Sequence, residues 1–308
     1  MLFLLVACGA PSHDVKTPAG GDDTGEPHVP ADPFALAEEV SGDNLAASIE
    51  SLESFGTRYT GTESAREVPG WLAGELEGAG LVAETLAFDA RGMDSANVIA
   101  RKDGVEEPEV VYVFSAHWDS TSEDPTTSAP GADDNASGVA AVLEAARVLA
   151  PVRTRYSVWF VLTGAEEQGA RGARELVDPW AGEDIRGVVA PDMIGYWPLG
   201  DGDAFDILGD EESEALATDM ADVADRMGVA NKVWIDHGYC YGDDHTYFQE
   251  AGFPAITPMD CVEAHNGVGD DEDTPHYHRT SDTSETLHIG FTTKVTKVVV
   301  ATLAGWVI

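Results

Sequence analysis

Apolar runs and helical patterns alternate along most of the chain. Two runs have the length and the β-branched or aromatic content of buried strands, at 110–115 and 156–162, and a shorter run lies at 187–190. Apolar residues at helical spacing predict helices at 43–55, 64–79, 137–149, 169–177, 211–227 and 291–305. This alternation predicts a single α/β domain, in which helices cover both faces of a mostly parallel mixed β-sheet.

The first 33 residues do not follow this pattern. Residues 1–7 form a short apolar run that ends in small residues, which is typical of part of a signal peptide and too short to span a bilayer. The run ends at Cys8 in a sequence similar to a bacterial lipobox, although no Lys or Arg precedes it. Cys8 would then be lipidated, and a plain secretory peptide is the alternative. Residues 9–33 have the composition of a disordered tether, so the folded domain is expected at 34–308.

The charge of the chain limits its partners. It has 56 acidic and 17 basic residues and a net charge of −39. Binding to nucleic acid or to an anionic membrane surface is not expected, because both need clustered Lys and Arg. The acidic excess is compatible with high solubility, or with a saline environment in which salt screens the repulsion. We expect an exported monomer, secreted or held at the cell surface, that touches the membrane only through a lipid anchor at Cys8.

Side chains of the metal-binding type follow the predicted strands. They are His117 and Asp119 after the first strand, Glu166 and Glu167 after the second, and Asp192 after the third. Asp134 lies in the loop before the helix that starts near residue 137. Ligands of parallel sheets bind beyond the carboxyl ends of the strands, so these groups are expected at one edge of the sheet.

The pair Glu166 and Glu167 is the most informative of these features. Adjacent Glu pairs occur four times, and only this pair ends a predicted buried strand. Two adjacent buried carboxylates are costly without cations. A helix N-cap would explain one carboxylate but not both. The combination of such groups at successive strand ends therefore indicates a metal site.

The chain is similar to the zinc-dependent exopeptidases of metallopeptidase family 28, typified by secreted bacterial leucine aminopeptidases. The resemblance runs from about Phe55 to the C-terminus. It rests on five motifs in order, which are SAHWDS (115–120), GADDNASG (131–138), TGAEEQGARGA (163–173), PDMIGY (191–196) and HRTSDT (278–283), with a weaker match at FGTRYTGT (55–62). It implies the zinc-exopeptidase fold, also described as phosphorylase/hydrolase-like.

The resemblance implies two zinc ions per chain. It assigns His117 and Asp192 to one metal, Glu167 and His278 to the other, and Asp134 to a bridging position between them. Imidazole and carboxylate ligands suit zinc, whereas imidazole disfavours Mg²⁺ and Ca²⁺.

The resemblance also assigns roles around the metals. Glu166 is expected to be the general base, and Asp119 to orient His117 through its far ring nitrogen. Tyr239 and Tyr241 are candidates for a hydroxyl that stabilises the oxyanion, and the choice between them stays open.

Several neighbouring residues are expected to play smaller parts. Asp133 is expected to stay a loop carboxylate, and His276 competes with the favoured His278 as a ligand. His245 is expected at a helix start rather than as a ligand. Candidates for the lining of a side-chain pocket are Met193, Tyr196 and Phe248, with core packing as the usual alternative for aromatic residues beside a sheet.

Two of the three cysteines, Cys240 and Cys261, lie in the predicted folded domain. Export would permit their oxidation to a disulfide, and two separate thiols are the alternative.

The expected activity is that of an aminopeptidase acting on peptides with a free N-terminus. A carboxypeptidase is one alternative, with Arg171 or Arg174 holding the carboxylate of the substrate. A glutaminyl cyclase with one zinc is another, and the presence of His117 argues against it. A receptor-like relative with an inactive site would be expected to lack ligands or the base, and none is missing.

Overall fold

The computed structural model describes residues 31–196, 204–236, 240, 242–261 and 274–308. The predicted signal sequence with Cys8, most of the predicted tether, and both Tyr239 and Tyr241 lie outside these residues. Residues 31–308 form one compact unit.

Eight strands build one mixed sheet. They are β1 (Ala83–Asp89), β2 (Asp94–Lys102), β3 (Glu107–His117), β4 (Tyr156–Thr163), β5 (Asp184–Val189), β6 (Phe205–Gly209), β7 (Asn231–Ile235) and β8 (Ala255–Met259). Their order across the sheet is β1-β2-β4-β3-β5-β8-β6-β7. The pairs β3–β4, β3–β5, β5–β8 and β6–β7 are parallel, and the other three are antiparallel.

Eight α-helices accompany the strands in the described part of the chain. They are α1 (Pro33–Ala37), α2 (Gly42–Glu53), α3 (Val68–Gly78), α4 (Gly138–Leu149), α5 (Arg171–Trp180), α6 (Glu214–Met227), α7 (Asp244–Glu250) and α8 (Ile289–Val307). Among the described residues, no helix has both the length and the apolar character needed to cross a membrane. The first helix starts at Pro33, which is the last residue of the predicted tether. Asp32 caps this helix by accepting a hydrogen bond from the amide of Phe34.

Two apolar clusters lie on opposite faces of the sheet. In β3, Phe114 and Ala116 belong to the larger cluster, which includes side chains of α2, α3, α4, α6 and α8. The alternate residues Val111 and Val113 belong to the smaller cluster, with side chains of α5 and α7. Successive strand residues point to opposite faces, so helices cover both sides, and the predicted α/β fold is confirmed.

The strands that the sequence pattern did not predict lie mainly towards the edges of the sheet. Neither β1 nor β7 contains a fully buried residue. Such strands lack the continuous apolar run that marks β3 and β4, which are buried on both sides.

Candidate metal centre

The carboxyl ends of the central strands bring the predicted site residues together. His117 is the last residue of β3 and pairs in parallel register with Thr163, the last residue of β4. Glu166 and Glu167 follow β4 within a few residues, and Asp192 follows β5. These groups therefore lie at one edge of the sheet, as the strand-end rule predicts.

Two groups of possible metal ligands share one carboxylate. In the first group, Nε2 of His117 lies 3.3 Å from Oδ2 of Asp192 and 3.4 Å from Oδ1 of Asp134. In the second group, Nε2 of His278 lies 3.2 Å from Oδ2 of Asp134 and 3.1 Å from Oε2 of Glu167. The donor atoms of each group all lie within 4.8 Å of one another. Asp134 thus presents one oxygen to each imidazole.

This donor set fits the zinc that the resemblance implies. Imidazole nitrogen and carboxylate oxygen are ligands that zinc takes in proteins. Oε1 of Glu167 and Oδ1 of Asp192 are buried without a hydrogen bond from any described residue. Buried carboxylate oxygens of this kind need a cation or a proton.

The pKa values of the two histidines show how strongly the carboxylates act on them. Burial alone lowers the pKa of His117, but the carboxylates of Asp192, Asp119 and Asp134 outweigh it and hold the pKa well above its ordinary value. For His278, hydrogen bonds to Asp134 and Glu167 outweigh burial and raise the pKa to about 10. In the metal-free protein, protons on the imidazoles therefore compensate the negative charge.

Asp119 supports both strand ends. Its Oδ1 accepts a hydrogen bond from the backbone amide of Glu166 at 2.9 Å, and its Oδ2 accepts one from Glu167 at 3.2 Å. Nδ1 of His117, the far ring nitrogen, lies 3.2 Å from the backbone carbonyl oxygen of Asp119 and 3.7 Å from its Oδ1. The ring therefore contacts the backbone of Asp119 more closely than the carboxylate that the resemblance implies, and the carboxylate fixes the backbone of the Glu pair.

Glu166 belongs to neither ligand group. Burial raises its pKa well above the ordinary value and outweighs the nearby His117. The residue before it, Ala165, has φ = 58°, a left-handed conformation that non-glycine residues rarely adopt. Met193 (φ = 50°) and His278 (φ = 52°) adopt the same conformation, and such strain concentrates at functional sites.

Asp133 and Asp282 have structural roles that the sequence did not indicate. Asp133 is buried, and its carboxylate accepts hydrogen bonds from the amides of Gly195 and Tyr196 at 2.7 and 3.2 Å. Asp282 in turn accepts bonds from the amides of Asp133 and Asp134. Among the described residues, Asp133 belongs to neither ligand group, as expected. Its carboxylate instead joins the loop before α4 to the loop after β5.

Cys240 and Cys261 form a disulfide, with a Cα–Cα distance of 6.6 Å. It joins an apolar cluster that includes Met193 and the partly buried Tyr277. Both of these residues neighbour ligand candidates in the sequence, so the disulfide lies close to the metal centre.

The interpretation of Phe248 as a pocket residue is wrong. Its side chain is fully buried in the smaller apolar cluster and stacks on Trp180, with ring centroids 5.9 Å apart.

His245 lies in the first turn of α7, and Nδ1 of His276 forms a hydrogen bond with Oγ of Ser281 at 2.9 Å. Neither histidine belongs to a ligand group among the described residues.

Comparisons with solved structures show the fold that this chain shares with other proteins. Two of these structures illustrate it. A zinc aminopeptidase from Bacillus subtilis has a TM-score of 0.73 at 16% identity, over 87% of this chain and 95% of its own. A glutaminyl cyclase from Fimbriiglobus ruber has a TM-score of 0.69 at 20% identity, over 86% of this chain and 97% of its own.

The sequence comparisons give the family. Residues 97–303 match the pattern of peptidase family M28. A probable zinc metalloprotease from Leptosphaeria maculans is 32% identical to this chain, over 87% of the chain and 75% of the relative. The chain therefore belongs to peptidase family M28 and is a peptidase.

Proposed function

We propose that this chain is an aminopeptidase with two zinc ions, which hydrolyses the first peptide bond of peptides with a free N-terminus. The position of Asp134 carries the proposal, because its two carboxylate oxygens face the imidazoles of His117 and His278 at 3.4 and 3.2 Å. A carboxylate placed in this way suits a bridge between two metals. The zinc aminopeptidase with the same fold supports the choice of metal and of reaction.

The ligands would be divided as the two groups indicate. His117 and Asp192 would hold one zinc, Glu167 and His278 would hold the other, and Asp134 would be shared between them. When bound, the zinc ions polarise the scissile carbonyl and acidify a water molecule at the centre.

Glu166 is the proposed general base. It is free of the ligand groups, and burial raises its pKa well above the ordinary value, which suits a group that takes a proton and gives it up again. It accepts a proton from the attacking water and donates it to the leaving amine. Asp119 keeps Glu166 in place through the hydrogen bond to its amide. Tyr239 and Tyr241 remain the candidates for a hydroxyl that stabilises the oxyanion.

The proposed substrate has an apolar or uncharged first side chain. The apolar cluster next to the ligands contains Met193, Leu208 and Met259, with Tyr277 packed against it. Met193 follows Asp192 directly, so this buried cluster adjoins the first ligand group. Packing of an apolar side chain of the substrate against it would contribute about 25 cal/mol per Å² of area removed from water.

The carboxypeptidase alternative has less support. Arg171 donates to the carbonyl of Gln168, and Arg174 donates to that of Gly169 while lying 3.8 Å above the ring of Tyr247. Both guanidinium groups thus have partners close to α5. A glutaminyl cyclase shares the fold, so the experiment below also tests for cyclisation of N-terminal glutamine.

The test combines metal content with three substrates. Protein purified without chelator is expected to hold about two zinc ions per chain. It should cleave leucyl peptides, fail to cleave their N-acetylated forms, and fail to cyclise a peptide with N-terminal glutamine. Cleavage of free and acetylated peptides at equal rates would contradict the aminopeptidase, and full activity with one metal would contradict the two-metal centre.

We also propose that residues 34–308 are the catalytic domain of an exported protein. The disulfide supports export, because disulfides persist in oxidising compartments. The apolar run at residues 1–7 and the lipobox-like Cys8 support a lipid anchor. Mass spectrometry of the N-terminus of the protein from a bacterial host tests this, and an unprocessed Met1 in the cytosolic fraction would contradict it.

A further inference from the structure

Arg58 is a buried cation that the proposed mechanism does not use. Its side chain is fully buried and is among the largest fully buried side chains of the described residues. No ion pair with a carboxylate is found for it in the described ranges, and its guanidinium instead donates to backbone carbonyls. A buried charge is costly unless it is paired or hydrogen-bonded, and here backbone carbonyls supply the hydrogen bonds.

The guanidinium binds the two segments that carry His117 and Asp134, two of the three members of the first ligand group. Its Nε donates to the carbonyl of Trp118 at 2.7 Å, directly after His117. Its Nη1 and Nη2 donate to the carbonyls of Pro130 and Gly131 at 2.5 and 2.8 Å, shortly before Asp134. The planar fork of arginine thereby fixes the distance between the segment of His117 and the segment of Asp134.

The surroundings are built around this fork. The amide of Arg58 donates to Oγ of Ser120, and this hydroxyl donates to the carbonyl of Ala129, so a second bridge joins the same loops. Gly131 has φ = 54°, and a Cβ at this position would clash with the carbonyl oxygen of Asp134 and with Cβ of Ser120, and would lie 2.9 Å from Nη2 of Arg58. A larger residue there would therefore disturb both the guanidinium and the segment of Asp134.

The positive charge acts on the carboxylates of the centre without touching them. Burial lowers the pKa of Arg58 to about 10, and the charges of Asp282, Asp119, Asp134 and Glu167 partly oppose this shift. The guanidinium therefore stays charged at neutral pH, within electrostatic reach of two ligand candidates. A fixed cation at this place reduces the mutual repulsion of the carboxylates before metal binds.

We propose that Arg58 is a positioning residue of the metal centre, which holds His117 and Asp134 at the spacing that the first metal position requires. This inference rests on the proposed two-metal function. Glu167 and His278 have no hydrogen bond to the Arg58 fork among the described residues. A change at Arg58 should therefore weaken the position of His117, Asp134 and Asp192 more than the position that includes His278.

The test measures zinc affinity in two backgrounds, by competition with a chromogenic chelator. His278→Ala leaves the first ligand group complete, and His117→Ala leaves the second. Arg58→Lys keeps the charge but loses the fork. It should weaken zinc binding by about 10–100-fold in the His278→Ala background, the usual effect of losing a residue that supports a ligand. The loss should be smaller in the His117→Ala background, where of the two supported ligands only the shared Asp134 remains. An equal loss in both backgrounds, or no loss in the first, would overturn the inference.

Two further variants separate positioning from general stability. Arg147→Lys makes the same change at an arginine that binds Glu144, away from the ligands, and it should leave zinc affinity unchanged. Ser120→Ala removes the second bridge without disturbing the buried charge, so it decides the question if Arg58→Lys fails to fold. A smaller loss confined to the His278→Ala background supports the inference, and unchanged affinity contradicts it. Zinc stoichiometry of the wild-type protein tests the proposed function separately.

Discussion

Oδ2 of Asp282 accepts a hydrogen bond from the backbone amide of Asp134 at 3.1 Å, although 148 residues separate them in the chain. Oδ1 of the same carboxylate accepts a bond from the amide of Asp133 at 2.9 Å. The segment that supplies His278 therefore also fixes the backbone of the carboxylate that both ligand groups share. This relationship makes Asp282 a test of the shared position.

Asp282→Asn should weaken zinc binding at both positions. An amide replaces one carboxylate oxygen with an NH₂ group, which cannot accept a hydrogen bond from the backbone amide it would face. Because Asp134 belongs to both ligand groups, we expect zinc affinity to fall by about 10–100-fold in both the His117→Ala and the His278→Ala background. Arg58→Lys should instead weaken zinc binding more at the position of His117 than at the position of His278.

Asp210→Asn is the matched control for this prediction. Asp210 also accepts a hydrogen bond from a backbone amide, that of Ser213 at 2.9 Å, but it caps a short helix with no ligand candidate in it. This variant should lose some stability and keep its zinc affinity. If Asp282→Asn binds zinc like the wild-type protein, the shared carboxylate does not depend on this support.

The metal-free protein should lose stability as the pH rises. Burial, and then Asp134, raise the pKa of Glu167 from 4.5 to about 7, and the pKa of His278 rises from 6.5 to about 10. Both groups hold more protons in the folded state than in the unfolded state, so the free energy of unfolding falls as the pH passes through these intervals. The stabilisation from Glu167 is lost between about pH 4.5 and pH 7, and that from His278 is lost between about pH 6.5 and pH 10.

Thermal unfolding in the presence of a chelator measures this effect. The midpoint should be lower at about pH 9 than at about pH 6. Saturating zinc should reduce or reverse the trend, because metal binding displaces the protons and strengthens as the pH rises. Replacement of His278 by Gln should flatten the upper part of the metal-free profile. A metal-free protein that is equally stable at both pH values would contradict the prediction.

Part of this arrangement could be predicted from the sequence. The central strands β3 and β4 are continuous apolar runs, and the side chains that follow them must meet at the edge of a parallel sheet. This rule needs only the sequence of each strand and of the residues that follow it. In the structure the groups around His117 and Glu167 lie together as the rule predicts. The position of His278 does not follow from any strand, and only the resemblance to the family indicated it.

The supporting contacts could not be predicted because they join distant segments. In the sequence, Asp133 has the polar surroundings of a solvated loop residue, and its burial depends on the amides of Gly195 and Tyr196. Arg58 lies in the weakest of the matched motifs, and its partners follow 60 to 73 residues later. Phe248 had the pattern of a pocket residue as much as of a core residue, and only its stacking on Trp180 decided the matter.

The disulfide should be present in the purified protein and should contribute to its stability. Free-thiol titration of the denatured, unreduced domain is expected to detect neither Cys240 nor Cys261. Closing a loop with a sequence separation of 21 residues should stabilise the folded state by about 3 kcal/mol, so the double replacement by Ser should lower the unfolding midpoint. Reduced wild-type protein should behave like the double variant, and two reactive thiols before reduction would contradict the pairing.

The two adjacent glutamates provide the most direct test of the mechanism. Glu167 lies 3.1 Å from Nε2 of His278 within a ligand group, and Glu166 lies in neither group. Asp119 holds both backbone amides, so a replacement of either side chain leaves the same local support. Each variant is therefore the matched control of the other.

Glu166→Gln keeps the size and polarity of the side chain but cannot accept a proton. Both metals should stay bound, KM should change little, and kcat should fall by about 10²–10⁴-fold, the usual contribution of a general base. Glu167→Gln should instead lower the metal content, because it replaces a charged ligand by a neutral amide. Metal analysis and turnover on both variants decide between the roles. If Glu166→Gln loses metal while Glu167→Gln retains it, the two roles are reversed; if Glu166→Gln keeps near-normal turnover, the base lies elsewhere.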